Sequence, residues 1–119
     1  MLAASMRAAD YRVTSHLPLR PVELEILVAL ADGERHGYAI HKEVARRTDG
    51  QLEIEPGTLY RALRRLLEAR LVAERKPTAG EDDRRRTYRL TDLGRRVTAA
   101  EVDRMAGLVT AARRALGRA

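Results

Sequence analysis

The chain has 119 residues, a length that fits one domain with a modest hydrophobic core. Hydrophobic residues make up 45% of it and cysteine is absent, so an ordered globular fold is expected and disulfides and thiolate metal sites are excluded. Lysine and arginine number 23 against 17 acidic residues, a net charge of +6, which favours a polyanionic partner, nucleic acid above all, over an acidic small substrate.

Residues 1–16 read as an N-terminal arm or a short helix, with Leu2, Met6, Ala9 and Val13 at helical spacing. They are too polar for a secretory signal, and no apolar run in the chain approaches a membrane span. A soluble cytoplasmic protein is the expectation. Pro18 and Pro21 then punctuate the approach to a first strong helix over residues 20–31. Leu24, Leu27, Val28 and Ala31 share one of its faces, and Val22, Ile26 and Leu30 form a second stripe. Asp32-Gly33 ends it. A second helix is predicted from Gly37 to Arg47, with Ile40 and Val44 inward and the Thr48-Asp49-Gly50 turn cluster behind it.

The third helix, predicted over residues 56–70, opens abruptly on Pro56-Gly57. Proline at the first helical position loses no hydrogen bond and has its φ already set. Gly57 leaves the helix start without side-chain bulk, so bare N–H groups and the positive end of the dipole can approach a phosphate. Leu59, Leu63, Leu66 and Leu67 share the inward side; Thr58, Arg61 and Arg65 share the opposite one, flanked by Arg64 and Tyr60. Between Pro56 and Lys76 there are six cations and two acids, the local charge a DNA-facing surface needs. Arginine is the best side-chain reader of guanine in the major groove.

Residues 71–76 and 85–90 read as two strands of a hairpin around the polar, turn-rich stretch PTAGEDDR, with Arg84, Arg85 and Arg86 at the second strand. Thr91 then caps a fourth helix, with Asp92 in its first turn, running to about Leu116. Along it Val102, Met105, Val109, Ala112 and Leu116 are spaced three, four, three and four apart, an a/d seam suited to pairing with a second copy. Aromatics are only 3%, all tyrosine, so Leu, Val, Ile and Ala must build the core. The fold class is therefore mainly α with a small β-hairpin: a winged helix-turn-helix domain over 17–90 and a dimerisation helix over 91–119.

Three motifs, HGYAI at 36–40, PGTLYRALRRL at 56–66 and YRLTDLG at 88–94, together resemble the PadR-like transcriptional regulators. The resemblance covers residues 17–96. It implies a homodimeric winged-helix repressor of double-stranded DNA, paired through the C-terminal helix and, in many members, released by a small aromatic or lipophilic compound. It places Thr58, Tyr60 and Arg65 on the recognition helix, Arg86 in the wing, and Gly37 and Tyr38 at the start of the second helix. Four departures stand out. Glu55 stands where a capping hydroxyl is common. Arg70 replaces the glycine that usually follows the recognition helix. Glu81, Asp82 and Asp83 dilute the charge of the wing. Tryptophan is absent, so ligand stacking between indoles is excluded.

The candidate DNA-binding residues are thus Gly57, Thr58, Tyr60, Arg61, Arg64, Arg65, Arg84, Arg85 and Arg86. The second stripe of helix one, Val22, Ile26 and Leu30, with Met105 and Leu108 of helix four, is a candidate effector pocket with an aliphatic lining, the alternative being that this space is packed core with no effector. No enzyme is expected. Ser5 and Ser15 lie in the N-terminal arm, no glycine-rich phosphate loop occurs, and His16, His36 and His41 lack metal-ligand spacing. No cofactor or metal is expected. The rival to a DNA-binding regulator is a winged-helix module whose arginines bind an acidic protein. Such a module would more naturally expose an apolar patch at the start of helix three.

Overall fold

The computed structural model describes residues 8–80 and 86–117. Its elements are α1 (Ala8–Thr14), α2 (Pro21–Ala29), β1 (Arg35–His36), α3 (Gly37–Arg47), α4 (Pro56–Glu68), β2 (Val72–Arg75), β3 (Thr87–Leu90) and α5 (Asp92–Ala115). The four strong helices and the hairpin fall within a few residues of their predicted bounds. Residues 1–7, which include Leu2 and Met6, lie outside the described residues, and α1 begins within the arm.

Helices α2, α3 and α4 enclose the core. Ile26 and Leu27 from α2, Ile40 and Val44 from α3, and Leu63 and Leu66 from α4 are all buried there. The predicted inward face of α4 is correct, with Leu67 half-buried at its rim and Ala62 buried beside Leu59. Pro21 and Pro56 each occupy the start of their helices, where the missing N–H has no intrahelical partner. One expectation is overturned. Ile26 is 0% and Leu30 1% exposed, so the second stripe of α2 is not spare but belongs to the core; only Val22 is half-buried at the edge. A helix apolar on two sides is here enclosed by α3, α4 and α5 of its own chain.

The hairpin is part of a three-stranded antiparallel sheet in the order β1-β3-β2. β3 is central, pairing Tyr88 with Glu74 on one side and with Arg35 on the other. β1 was not predicted. Two residues show no alternation, and only pairing with β3 makes Arg35-His36 a strand.

The hand-over from α4 to the wing uses a Schellman arrangement. The Leu71 N–H donates to the Leu66 carbonyl at 3.0 Å, and the Arg70 N–H to the Leu67 carbonyl at 3.0 Å. Arg70 itself takes φ 62°, the left-handed conformation that glycine usually supplies. The departure from glycine therefore leaves the cap intact, at a backbone penalty of about 1 kcal/mol. α5 is fastened at the same point. The Thr91 hydroxyl accepts from the Gly94 N–H at 2.9 Å, as the predicted cap requires, and donates to the Arg70 carbonyl at 2.7 Å. A Cβ on Gly94 would collide with the Leu71 carbonyl, so the two backbones touch there. Farther along α5, buried Glu101 accepts from the Leu19 N–H at 2.9 Å and from Arg104 at 2.6 Å. From Val102 to Gly117 every residue is exposed.

Candidate nucleic-acid interface

The start of α4 has no side-chain cap. Glu55 precedes the helix in extended backbone and makes no capping hydrogen bond. Above this bare end lies a cation. Arg61 donates to the Thr58 hydroxyl at 3.2 Å, and its Nη1 sits 3.2 Å from where a Gly57 Cβ would be. The φ of Gly57 is not left-handed, so the backbone makes no demand for glycine, and a Cβ there would only nudge the exposed Arg61 guanidinium. Gly57, Thr58 and Arg61 thus form one cluster in which N–H groups and a guanidinium point at the same region. That is a ready arrangement for an oxyanion.

The other predicted cations divide. Arg61 and Arg64 are exposed and have no acidic partner among the described residues. Arg65 is different. Its Nε donates to Glu23 of α2 at 2.7 Å, and Glu23 is buried. Arg65, expected on the outward side, is partly exposed there and also ties α4 to α2. Nothing in the sequence pairs positions so far apart; helical spacing correctly left Arg65 off the core but could not see Glu23 opposite it. Arg86 is likewise engaged, its Nη1 donating to Glu74 of β2 at 3.0 Å across the wing. Arg84 and Arg85, with Glu81, Asp82 and Asp83, lie outside the described residues.

Tyr60, half-exposed, separates two depressions. On one side is a cavity of about 200 Å³ lined by Tyr38, His41, Pro56, Leu59 and Tyr60. On the other is a cleft of about 350 Å³ between α4 and the wing, lined by residues including Tyr60, Arg64, Glu74, Arg86 and Tyr88. Burial, with the Glu74 charge adding to it, pushes the Tyr88 phenol above its usual pKa, so it stays neutral beside Arg86.

At the first cavity the sequence reading missed two neighbours of Tyr38. The His41 ring stacks on Tyr38 with centroids 6.0 Å apart, and the Lys42 ammonium stands 5.6 Å from the Tyr38 ring centre. The His41 Nδ1–H donates to the Ile54 carbonyl at 3.1 Å, which ties α3 to the segment leading into α4. The available signal was helical spacing: positions 38, 41 and 42 share a face.

A second exposed surface lies on α5. Val102 is 49% exposed and Leu116 76%, with Met105, Leu108 and Val109 between these values or just below them. This is the predicted seam, bare in the single chain.

A trihelical core, a three-stranded sheet that carries the wing and a third core helix with an uncapped start are the architecture of a winged-helix regulator of transcription, a class without catalytic machinery. The chain belongs to the PadR-like family of transcriptional regulators, whose model matches residues 26–100. A transcriptional regulator of Clostridium thermocellum has a similar structure, with TM-score 0.69 and 25% identity over 92% of this chain and 96% of that one. Bacillus subtilis PadR in complex with operator DNA is similar in fold, with TM-score 0.59 and 23% identity over 74% of this chain and 48% of that one. An uncharacterized protein X of Lysinibacillus sphaericus is 30% identical over 70 residues, 59% of this chain. The match spans 64% of that curated relative's length. Among the described residues no helix is long and apolar enough to cross a membrane.

Proposed function

We propose that the chain is a dimeric cytoplasmic repressor that reads a pseudo-palindromic operator in double-stranded DNA. The observation that carries this reading is the start of α4: uncapped, with Arg61 held over it by Thr58 and with Arg64, one turn on, facing no acidic partner among the described residues. In the major groove Arg61, Thr58 and Tyr60 would meet bases or the adjacent backbone, and Gly57 would let phosphate close to the helix end. Arg84 and Arg85 would follow the backbone from the wing; Arg86 contributes less charge because Glu74 neutralises it. That Bacillus subtilis PadR, of similar fold, is found in complex with operator DNA supports a DNA partner.

In this reading residues 17–90 are the DNA-binding unit and residues 91–119 the dimerisation element. Val102, Met105, Val109, Ala112 and Leu116 pair with their copies, placing two recognition helices about 34 Å apart, one turn of DNA. An effector, in this reading a small lipophilic compound, would lodge between paired helices against Met105 and Leu108 and meet Val22 at the edge of α2. Ile26 and Leu30 are not available to it.

Selecting bound fragments from random duplex DNA tests the proposal. An inverted repeat with half-site centres one or two helical turns apart is expected. Failure to enrich any sequence, with tight binding to an acidic polypeptide instead, would establish the rival interaction module.

A further inference from the structure

Gly37 opens α3 and is buried, yet its φ is not left-handed, so no backbone demand explains a glycine there. At the start of a helix, alanine would be the better residue by intrinsic propensity. What excludes a side chain is Tyr60. A Cβ on Gly37 would overlap the Tyr60 hydroxyl and stand 2.9 Å from Cζ and 3.1 Å from Cε1 of the same ring. Helical side chains lean back toward the N-terminus of their helix, so Tyr60 reaches from α4 across to the first turn of α3 and rests on the gap that Gly37 leaves.

The backbone at Gly37 cannot retreat to make room. His36, immediately before it, is paired to Thr87 in the sheet. Ile40, three residues on, is 0% exposed in the core. The ring is the soft partner, because Tyr60 is 48% exposed. Tyr60 also forms the shared wall of the two depressions beside α4, so its position sets the shape of both.

We propose that Gly37 is a positioning residue for DNA recognition: by lacking a side chain it seats the Tyr60 ring on α3 and fixes how the tyrosine is presented beside Arg61 and Arg64. The inference rests on the DNA-binding reading of α4. It assigns to the second helix a role in recognition that involves no contact of Gly37 with DNA.

The test is a double-mutant cycle of Gly37→Ala and Tyr60→Ala, read by operator titration and by thermal melting. Gly37→Ala alone is expected to weaken operator binding about tenfold. In the Tyr60→Ala background the same substitution is expected to change binding less than about twofold, because the ring it displaces is gone. In that background it should also raise the melting temperature, as alanine in a helix does. In wild-type protein, nuclear Overhauser contacts between the Gly37 α-protons and the Tyr60 ring are expected. Equal weakening in both backgrounds, or a melting temperature lowered equally in both, makes Gly37 merely structural and overturns the inference while leaving the DNA reading intact. If no duplex binds at all, the DNA reading falls and takes the recognition role with it; the melting cycle and the Overhauser contacts then judge the Gly37–Tyr60 seat alone.

Discussion

Helices α4 and α5 are both amphipathic and both begin abruptly, but the fold treats their apolar faces in opposite ways. In α4 the apolar face is taken up by the core, where Leu59, Ala62, Leu63 and Leu66 are buried, with Leu67 half-buried at the rim. What remains outside is polar and cationic, suited to a charged, hydrated partner. In α5 only the first part is enclosed, through Gly94, Val97, Thr98 and Glu101. Beyond Glu101 the apolar stripe continues, and every residue from Val102 to Gly117 is exposed, with none of the described residues burying it. Their starts differ in the same sense. α5 is capped by Thr91 and locked to Arg70, whereas α4 has no side-chain cap and meets Arg61 instead. A capped helix end is structurally complete; an uncapped one leaves donors for something else. One helix therefore offers charge and the other offers hydrophobic area, and two different kinds of partner follow.

The largest test of this contrast is Val109→Lys. A lysine in the centre of the bare stripe opposes burial against a second copy, and pairing is expected to weaken at least about a hundredfold, or roughly 3 kcal/mol. Sedimentation velocity at micromolar concentration checks it; the melting of the winged domain should not change. A variant that stays dimeric would move the pairing surface off α5.

Gly94→Ala strikes the joint between the two helices. The new Cβ would enter the Leu71 carbonyl, and the loss in stability is expected to be about 3 kcal/mol. Thermal or urea unfolding measures it. A neutral result would show that α5 can shift relative to α4 without cost.

Arg61 and Arg65 separate recognition from attachment on α4. Arg61→Ala is expected to lower specific DNA affinity by about 1–3 kcal/mol and leave the melting temperature unchanged. Arg65→Ala, by releasing buried Glu23, is expected to destabilise the fold by about 1 kcal/mol, with any binding loss following from that. Gel-shift titrations at several salt concentrations, beside melts of the same proteins, discriminate the two. If Arg65→Ala reduces affinity as strongly as Arg61→Ala without a change in melting, Arg65 acts in recognition rather than attachment.

The smallest effect concerns acid. The hydrogen bond from Arg104 holds the Glu101 carboxyl below the usual carboxylate range, against desolvation, and the Leu19 N–H adds to the lowering. A carboxylate with a depressed folded pKa stabilises the fold above its unfolded pKa, and that contribution disappears as pH falls through the folded value. The bond between α5 and the segment before α2 should therefore loosen in acid. Hydrogen exchange at the Leu19 amide between about pH 6 and pH 3, corrected for intrinsic rates, should show protection falling in wild type and already reduced in Glu101→Gln.

Local chemistry alone determined a great deal here. Helical spacing located the inward face of α4, Pro56-Gly57 its start, Thr91 the cap of α5, and the three-four spacing from Val102 to Leu116 a stripe that is exposed among the described residues. All these features depend on residues within a turn or two of each other, so their physics is contained in short segments. What the tertiary structure alone decided depends on residues distant in sequence. Arg35-His36 becomes a strand only beside β3. Ile26 and Leu30 enter the core because three other helices close over α2. Arg65 gains an ion pair because Glu23 faces it, and a side chain at Gly37 would meet Tyr60, which lies across it. Each is a relation between a residue and a neighbour that folding supplies, and the period of a helix carries no record of what will stand opposite.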